Sequence, residues 1–487
     1  MAHIQLLDQT IRDGQQSLWG VKMQCGMALP VIPDLDRTGF KVIDFTASSA
    51  FEVLIRYCQE DPWEGVDLIV GAAPRTPMRA GMRCNACMTF GTSPDALMDI
   101  WMRQLNRHGL RSFWIYDTMY NVDKIHRLAK LASAEFGAEV CATVGFTTSP
   151  VHTDEYFADI TRQLMASEHV HTLLFYDQAG ILDVTRMRTL LPGVVAAAGG
   201  KQVEFHSNNL LGISGPAYIE SIEHGVTVLH TASRPMANAA SVPSTEVMAY
   251  NLEVLGHTHG IDTRYLPAVA DRFERVGHAA GFPVNQFAEY NVQSLLHQIP
   301  GGMMGSLKRQ LADHRISERL PEVLEEVSRV RAELGYPVMA TPLSQLVGTQ
   351  AVLNILTGVR YGTVPDQVVQ YVAEMYGKPL VPVEPNIKDK ILSSSRGPDV
   401  LAELAAYEEP TEDDLRVQYG TRDDDELILR ALVPQADLDK MRAAGPVRRD
   451  YPLFNSRQLD EIAQLVGAVS TPYARIATEA YELELGR

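Results

Sequence analysis

At 487 residues the chain exceeds one ordinary domain, and with 46% hydrophobic residues it can bury more than one core. Its formal charge of −17, dense near "EEPTEDDL" and "TRDDDEL", argues against nucleic acid or an anionic membrane surface as a partner. Cysteines 25, 58, 84, 87 and 141 lack a disulfide-framework spacing, no run approaches the roughly 20 apolar residues of a membrane span, and "MAHIQLLDQT" lacks the form of a secretory leader, so a reducing cytoplasm is expected.

The first apolar run, IQLLDQ (4–9), is followed at once by "TIRDGQQSLWG", which places Arg12, Asp13 and Gln16 where either an ordinary turn or the edge of a site must lie. KVIDFT (41–46) and MRCNACM (82–88) come next; the latter carries Arg83 and a C-x-x-C of Cys84 and Cys87. In a strand, positions three apart face opposite ways, so a metal or redox role for that pair is not expected. Helical patterns such as "PDALMDIWMRQLNRHG" and "VDKIHRLAKLASAEFG", the second closing on a glycine, separate further apolar runs. These are SFWIYD (112–117), EVCATVGF (139–146), TLLFYD (172–177), QVEFHSN (202–208) and VTVLHTA (226–232).

Eight strand-then-helix units, with strand starts 24 to 41 residues apart, predict an α/β fold, a (β/α)8 TIM barrel, with an open doubly wound sheet as the alternative. Barrel enzymes work at the C-terminal ends of their strands. Arg12, Asp13, Gln16, Arg83, Asp117, Tyr176, Asp177, His206 and Asn208 are therefore expected to converge, although Asp117 before "TMYN" fits a helix cap equally well.

Residues 245–300 read as helical, and "HQIPGGMMGSLKRQL" opens a second helical region. There "SQLVGTQAVLNILTG" carries so little charge that it is expected to be buried. "KPLVPVEPN" (378–386) reads as a linker, 408–427 as an acidic stretch, and 457–484 as a final amphipathic helix. The expected division is a barrel over 1–300, a helical second domain over 301–443 and a helical extension over 444–487.

"IRDGQQSL" resembles the R-D-A-x-Q-S-L signature opening the carboxyltransferase barrels of pyruvate carboxylase, the transcarboxylase central subunit and the oxaloacetate decarboxylase α chain. The resemblance continues through "FEVLIRYCQEDPWE", "TTSPVHT" and "NLLGISG" and is strongest in "QIPGGMMGSLKRQL" and "LGYPVMATPLSQLVGTQAVLNILTGVRYGTVPDQV", covering about residues 4 to 443. It implies an enzyme that moves or removes a carboxyl group on a 2-keto acid or related carbonyl compound through an enolate. Such chemistry uses a divalent metal, zinc or manganese, to polarise the carbonyl. By the resemblance Asp13 is the metal aspartate, Arg83 clamps the carboxylate of a small-molecule substrate, and Arg12 and Gln16 hold substrate beside it. It also implies a homodimer or larger assembly and a biotinyl carrier on another chain, because no biotinyl M-K-M sequence is present.

The departures from the family pattern are specific. Tyr176 in "FYDQAGI" occupies the place of the family's carbamylated metal lysine, and "HSN" keeps His206 but puts Asn208 for the second imidazole of an H-x-H. Asp13, His206 and Asn208, with Tyr176 or the deeper Glu204, are the remaining candidate metal donors, weaker than the family's set. On the biotin side, Ala240 in "ANAASVPS" stands for a proton-shuttling threonine and Phe90 for a tyrosine. Near strand eight, His230 and Arg234 stand where the family has acidic or neutral residues, and Arg234, helped by His230, is the expected stand-in for the metal as electrophile. A biotin-independent lyase or decarboxylase and a non-catalytic scaffold subunit are the alternatives.

Overall fold

The computed structural model describes the chain apart from residues 85–87, 89–91, 289, 454–472, 478–481 and 487. Eight parallel strands close into a barrel in sequence order: β1 (Gln5–Asp8), β2 (Ile43–Thr46), β3 (Met78–Arg83), β4 (Ser112–Tyr116), β5 (Glu139–Gly145), β6 (Thr172–Asp177), β7 (Gln202–Ser207) and β8 (Val228–Thr231). Closure is made by β1 against β8, with Gln5 opposite Val228 and Asp8 opposite Thr231. The TIM barrel expected from the eightfold alternation is thus observed.

Helices cover the outside of the barrel. Asp61, Asn121, Thr153 and Asp183 cap four of them, each accepting a backbone N–H of the first turn. Their apolar faces join the outward-facing residues of the strands in one large core; Phe113, Phe175 and Phe205 are wholly buried in it. β3 differs from expectation: it runs over Met78–Arg83, not 82–88. The reason is Arg79, whose buried guanidinium breaks the apolar pattern of the true strand. Cys84 is buried just beyond the strand, and Cys87 and Phe90 lie outside the described residues.

Inward-facing positions alternate with the pleat. On β3 these are Arg79, Gly81 and Arg83, and a Cβ on Gly81 would lie 2.6 Å from the Trp114 ring, so glycine makes room for the indole inside the barrel.

A second core gathers residues between Ile299 and Val400, from helices that include Gly301–Asp313, Leu320–Glu333 and Leu343–Thr357. The low-charge helix Leu343–Thr357 is largely buried, as its composition predicts. The Pro-rich passage is packed rather than free, since Val383 enters this core. Residues 412–447 return to the barrel, where Leu415, Leu427, Ile428 and Leu438 join the first core. The acidic stretch is docked there as well: Glu412 accepts two hydrogen bonds from Arg103, and the Trp63 indole donates to the Asp425 carbonyl.

The final helix expected over 457–484 is corrected where the chain is described, because Tyr473–Ala477 (β9) and Glu482–Gly486 (β10) pair as an antiparallel hairpin. "YARIA" and "ELELG" alternate with period two, which suits strands.

Candidate active site

Three contacts hold the helical region over the barrel mouth. Gln298 bridges to the segment after β5, accepting from the Thr147 hydroxyl at 2.7 Å and the Thr148 N–H at 3.0 Å. Arg331 donates to the Thr147 hydroxyl at 2.8 Å and the Thr148 carbonyl at 3.0 Å. The start of helix Gly301–Asp313 presses on the loop after β8, where a Cβ on Gly301 would lie 2.4 Å from the Ala240 Cβ. Only glycine permits that approach.

Beneath this cover the first loop forms one wall. Thr10–Gly14 makes a π-helical turn directly after β1, burying both Arg12 and Asp13. Arg12 Nε donates to Gln9 Oε1 at 2.9 Å and Asp44 Oδ2 at 3.2 Å, and its guanidinium lies 5.4 Å from the Trp114 ring centre. Asp13 accepts from Asn208 Nδ2 at 2.9 Å, from Ser241 Oγ at 3.2 Å and from Ser17 Oγ at 3.1 Å. Burial raises its carboxyl above the usual range against the pull of Arg12. Tyr176 packs edge-on against His206 at 4.5 Å between ring centres, and burial raises its phenol so that it stays protonated. Arg83 ends β3 on the inward face and donates to Ser48 Oγ at 3.3 Å. Gln16 lies on the short helix Gln15–Leu18, against Gly302 of the covering helix.

The structure thus brings Arg12, Asp13, Tyr176, His206 and Asn208 together, with Arg83 and Gln16 at the same end of the barrel. It separates three others. Asp117 accepts from the Met119 and Asn121 N–H groups, and Asp177 from the Ile181 and Leu182 N–H groups, so both carboxylates fasten loops. Arg234 is corrected as an electrophile: its side chain is 50% exposed and pairs outside the barrel with Glu274 at 2.7 Å and Asn285 at 2.6 Å. The short helical turn Arg234–Met236 that follows β8 carries it away from the mouth.

The metal set implied by the resemblance does not fit these residues. The Asn208 amide presents its N–H to Asp13 instead of its oxygen to an ion, and Asp13 is already compensated by Arg12 at 3.7 Å and by three donors. Tyr176 is a neutral phenol. Among the described residues no cluster of three His, Cys, Asp or Glu forms a metal site. Asn208 and Asp13 are hydrogen-bonded to each other and His206 Nε2 lies 3.9 Å from Asp13, an arrangement that aims no set of lone pairs at a cation.

Two features went unread in the sequence. Gln178, one residue past β6, is buried with neither amide atom hydrogen-bonded. Its place on the inward face after Tyr176 was the available signal. The second is a polar ladder below the mouth. Glu204 accepts from Arg79 at 2.6 and 3.1 Å and meets His230 Nε2 at 3.0 Å; His230 Nδ1 lies 3.0 Å from Gln9 Nε2 and 3.2 Å from His206 Nδ1. Arg79, with help from Lys41 and His230, holds the Glu204 carboxyl well below the usual range despite its burial. Burial and the neighbouring His230 and Arg12 push His206 well below the usual imidazole range.

A family of conserved carboxylase domains matches residues 295–457. The chain is 30% identical to a pyruvate carboxylase subunit of Methanocaldococcus jannaschii, over 95% of this chain and 81% of that one. It is 29% identical to the 2-oxoglutarate carboxylase large subunit of Hydrogenobacter thermophilus, over 95% and 71%. In structure it is similar to the carboxyl transferase domain of Rhizobium etli pyruvate carboxylase solved with oxamate and biotin, with a TM-score of 0.83 at 21% identity, over 93% of this chain and 79% of that one.

Proposed function

The chain belongs to the carboxyltransferase family of the pyruvate carboxylases, and from that premise we propose that its barrel moves a carboxyl group onto or off a 2-keto acid through an enolate. The observation that carries this reading is Arg83, an arginine on the inward face at the C-terminal end of β3, where a barrel binds substrate. A guanidinium there meets a carboxylate in bidentate geometry. Gln16 and the buried amide of Gln178, at the same end of the barrel, supply neutral hydrogen bonds, and the Tyr176 hydroxyl supplies a donor for the carbonyl oxygen on which enolate charge develops. The carboxyl donor is a biotinyl group on another chain, the chain works in the cytoplasm, and it assembles as a homo-oligomer.

A second reading, a biotin-independent decarboxylase, is favoured by Ala240. No hydroxyl stands at that position, and the covering helix is packed onto its methyl group.

The test is purification from the native host with detection of biotinylated chains, followed by assay on oxaloacetate. Co-purification of a biotinylated chain, with carboxyl transfer that depends on it, supports the first reading. CO2 release by the isolated chain establishes the second. Absence of both activities overturns the proposal.

A further inference from the structure

Two neighbouring strands of the barrel carry polar groups that no other described residue satisfies. Gln178, 4% exposed, follows Tyr176 on the inward side of β6, and neither its Oε1 nor its Nε2 has a hydrogen-bond partner among the described residues. Exchanging the two ends of the amide changes nothing, because both are open. On β5 the inward positions are Glu139, Cys141, Thr143 and Gly145, the first of them reaching Arg79 on the floor. Thr143 is as deeply buried, and its hydroxyl likewise has no partner among the described residues.

Gly145 follows Thr143 on that face and borders Gln178. It stands opposite Tyr176 in register, and the point a Cβ would occupy is 3.8 Å from Gln178 Oε1, 3.7 Å from the Tyr120 hydroxyl and 3.3 Å from Val338 Cγ1. None of these neighbours answers the amide. The Tyr120 hydroxyl is engaged by Gly145 itself, donating to its carbonyl at 3.0 Å and accepting from its N–H at 2.9 Å. Val338, from the helical region laid over the mouth, offers only methyl groups. The charged groups nearby are engaged as well: Arg331 aims Nε, Nη1 and Nη2 at the Pro337 carbonyl, the Thr148 carbonyl and the Thr147 hydroxyl, and Asp177 is fastened to loop N–H groups.

Native proteins seldom bury open polar groups without a use for them. These are uncharged, set donors and acceptors side by side, and are closed over by an apolar residue. Their complement is an uncharged group that both donates and accepts. A carboxylate would meet Gln178 Oε1 with like charge, and a methyl group would leave the amide and the hydroxyl unpaired. With no side chain at Gly145 and Val338 close to it, the group that fits is small, which favours a hydroxyl over a carboxamide. We propose that Gln178, together with Thr143, determines the specificity of this barrel by selecting a 2-keto acid that carries a hydroxyl group on its chain. The inference rests on the keto-acid reading above: Arg83 on β3 holds the carboxylate at one end of the substrate, and Gln178, three strands further round the barrel, holds the hydroxyl at the other.

The experiment is calorimetric binding, which needs no carboxyl donor, with three acids: 4-hydroxy-2-oxobutanoate, 2-oxopentanoate, in which a methyl group replaces the hydroxyl, and 2-oxoglutarate, which ends in a carboxylate. Wild-type protein is expected to bind the hydroxy acid about 100-fold or more tightly than its methyl counterpart, as a site built to hydrogen-bond a hydroxyl does, and more tightly than 2-oxoglutarate. Gln178→Met brings the hydroxy and methyl acids to within a few-fold of each other, Thr143→Val removes part of the preference, and Arg83→Ala weakens all three acids alike. Unliganded Gln178→Met melts no lower than wild type, because the change removes two unpaired buried polar atoms; an amide with a merely structural role would lower the melting temperature. Wild-type affinities within a few-fold of one another, a preference for 2-oxoglutarate, a preference that survives in Gln178→Met, or a variant that melts well below wild type overturns the assignment of Gln178 and leaves the keto-acid reading standing. A wild-type protein that binds none of the three, nor pyruvate, overturns the keto-acid reading and the assignment with it.

Discussion

The floor and the mouth of the barrel are built from the same residue types and treat them oppositely. On the floor, Arg79 and Glu204 are wholly buried, bidentate and cross-braced by Lys41, Glu139, Ser112 and Thr172. At the mouth, His206 Nε2 and both amide atoms of Gln178 are buried without partners. Polar groups that are fully paired set geometry and stability, whereas those left open hold binding capacity in reserve. The contrast assigns stability to the first layer and chemistry to the second.

The sharpest way to break that contrast is Glu204→Ala. It removes the bidentate partner of the buried Arg79 guanidinium and leaves Glu139 as its remaining carboxylate, and losing one partner of a buried pair costs about 3–5 kcal/mol. A large drop in the urea midpoint is expected, and a near-neutral result would mean that the floor is not the structural layer. Arg83→Ala acts at the other end. It should remove about 2–5 kcal/mol of substrate binding or transition-state stabilisation while the melting temperature barely moves, as for a charged partner lost from a complex. Activity and thermal denaturation measured on one preparation separate the two layers; unchanged activity removes Arg83 from the site.

How much of this the sequence carried follows the same division. The barrel was legible because each strand is a short apolar run before a helix, a local pattern that tertiary packing reinforces. Arg12, Asp13, His206 and Asn208 were legible because strand ends point at the mouth. The limits of β3 were not, because a buried arginine looks like a solvated one until its partner, 125 residues away, is known. Arg234 misled for a related reason: position after a strand says nothing of which way a turn carries the side chain. The hairpin β9–β10 alternates apolar and polar residues over stretches too short to separate period two from period 3.6 within a longer amphipathic window.

A smaller effect sharpens the comparison by isolating what a partner does for a buried carboxyl. Glu204 and Asp8 are both wholly buried. Cations hold Glu204 well below the usual range, whereas Asp8 accepts from the Thr10 N–H and hydroxyl, and burial pushes it up to about 7. Because the folded pKa of Asp8 lies above its unfolded value, its contribution to stability is present below about pH 4 and is lost as pH rises towards 7. Glu204 works in the opposite sense: its contribution is present above the unfolded pKa and is lost only as pH falls far below it. Asp117 and Asp177, each pushed up to about 6 by burial, add to the Asp8 trend and end one unit lower. Asp8→Asn should therefore flatten the part of the stability profile nearest pH 7, leaving the acid limb set by Glu204 unchanged. Urea midpoints at intervals from pH 3 to pH 8 on wild type and variant measure this; identical slopes between pH 5 and pH 7 would show that Asp8 does not titrate there.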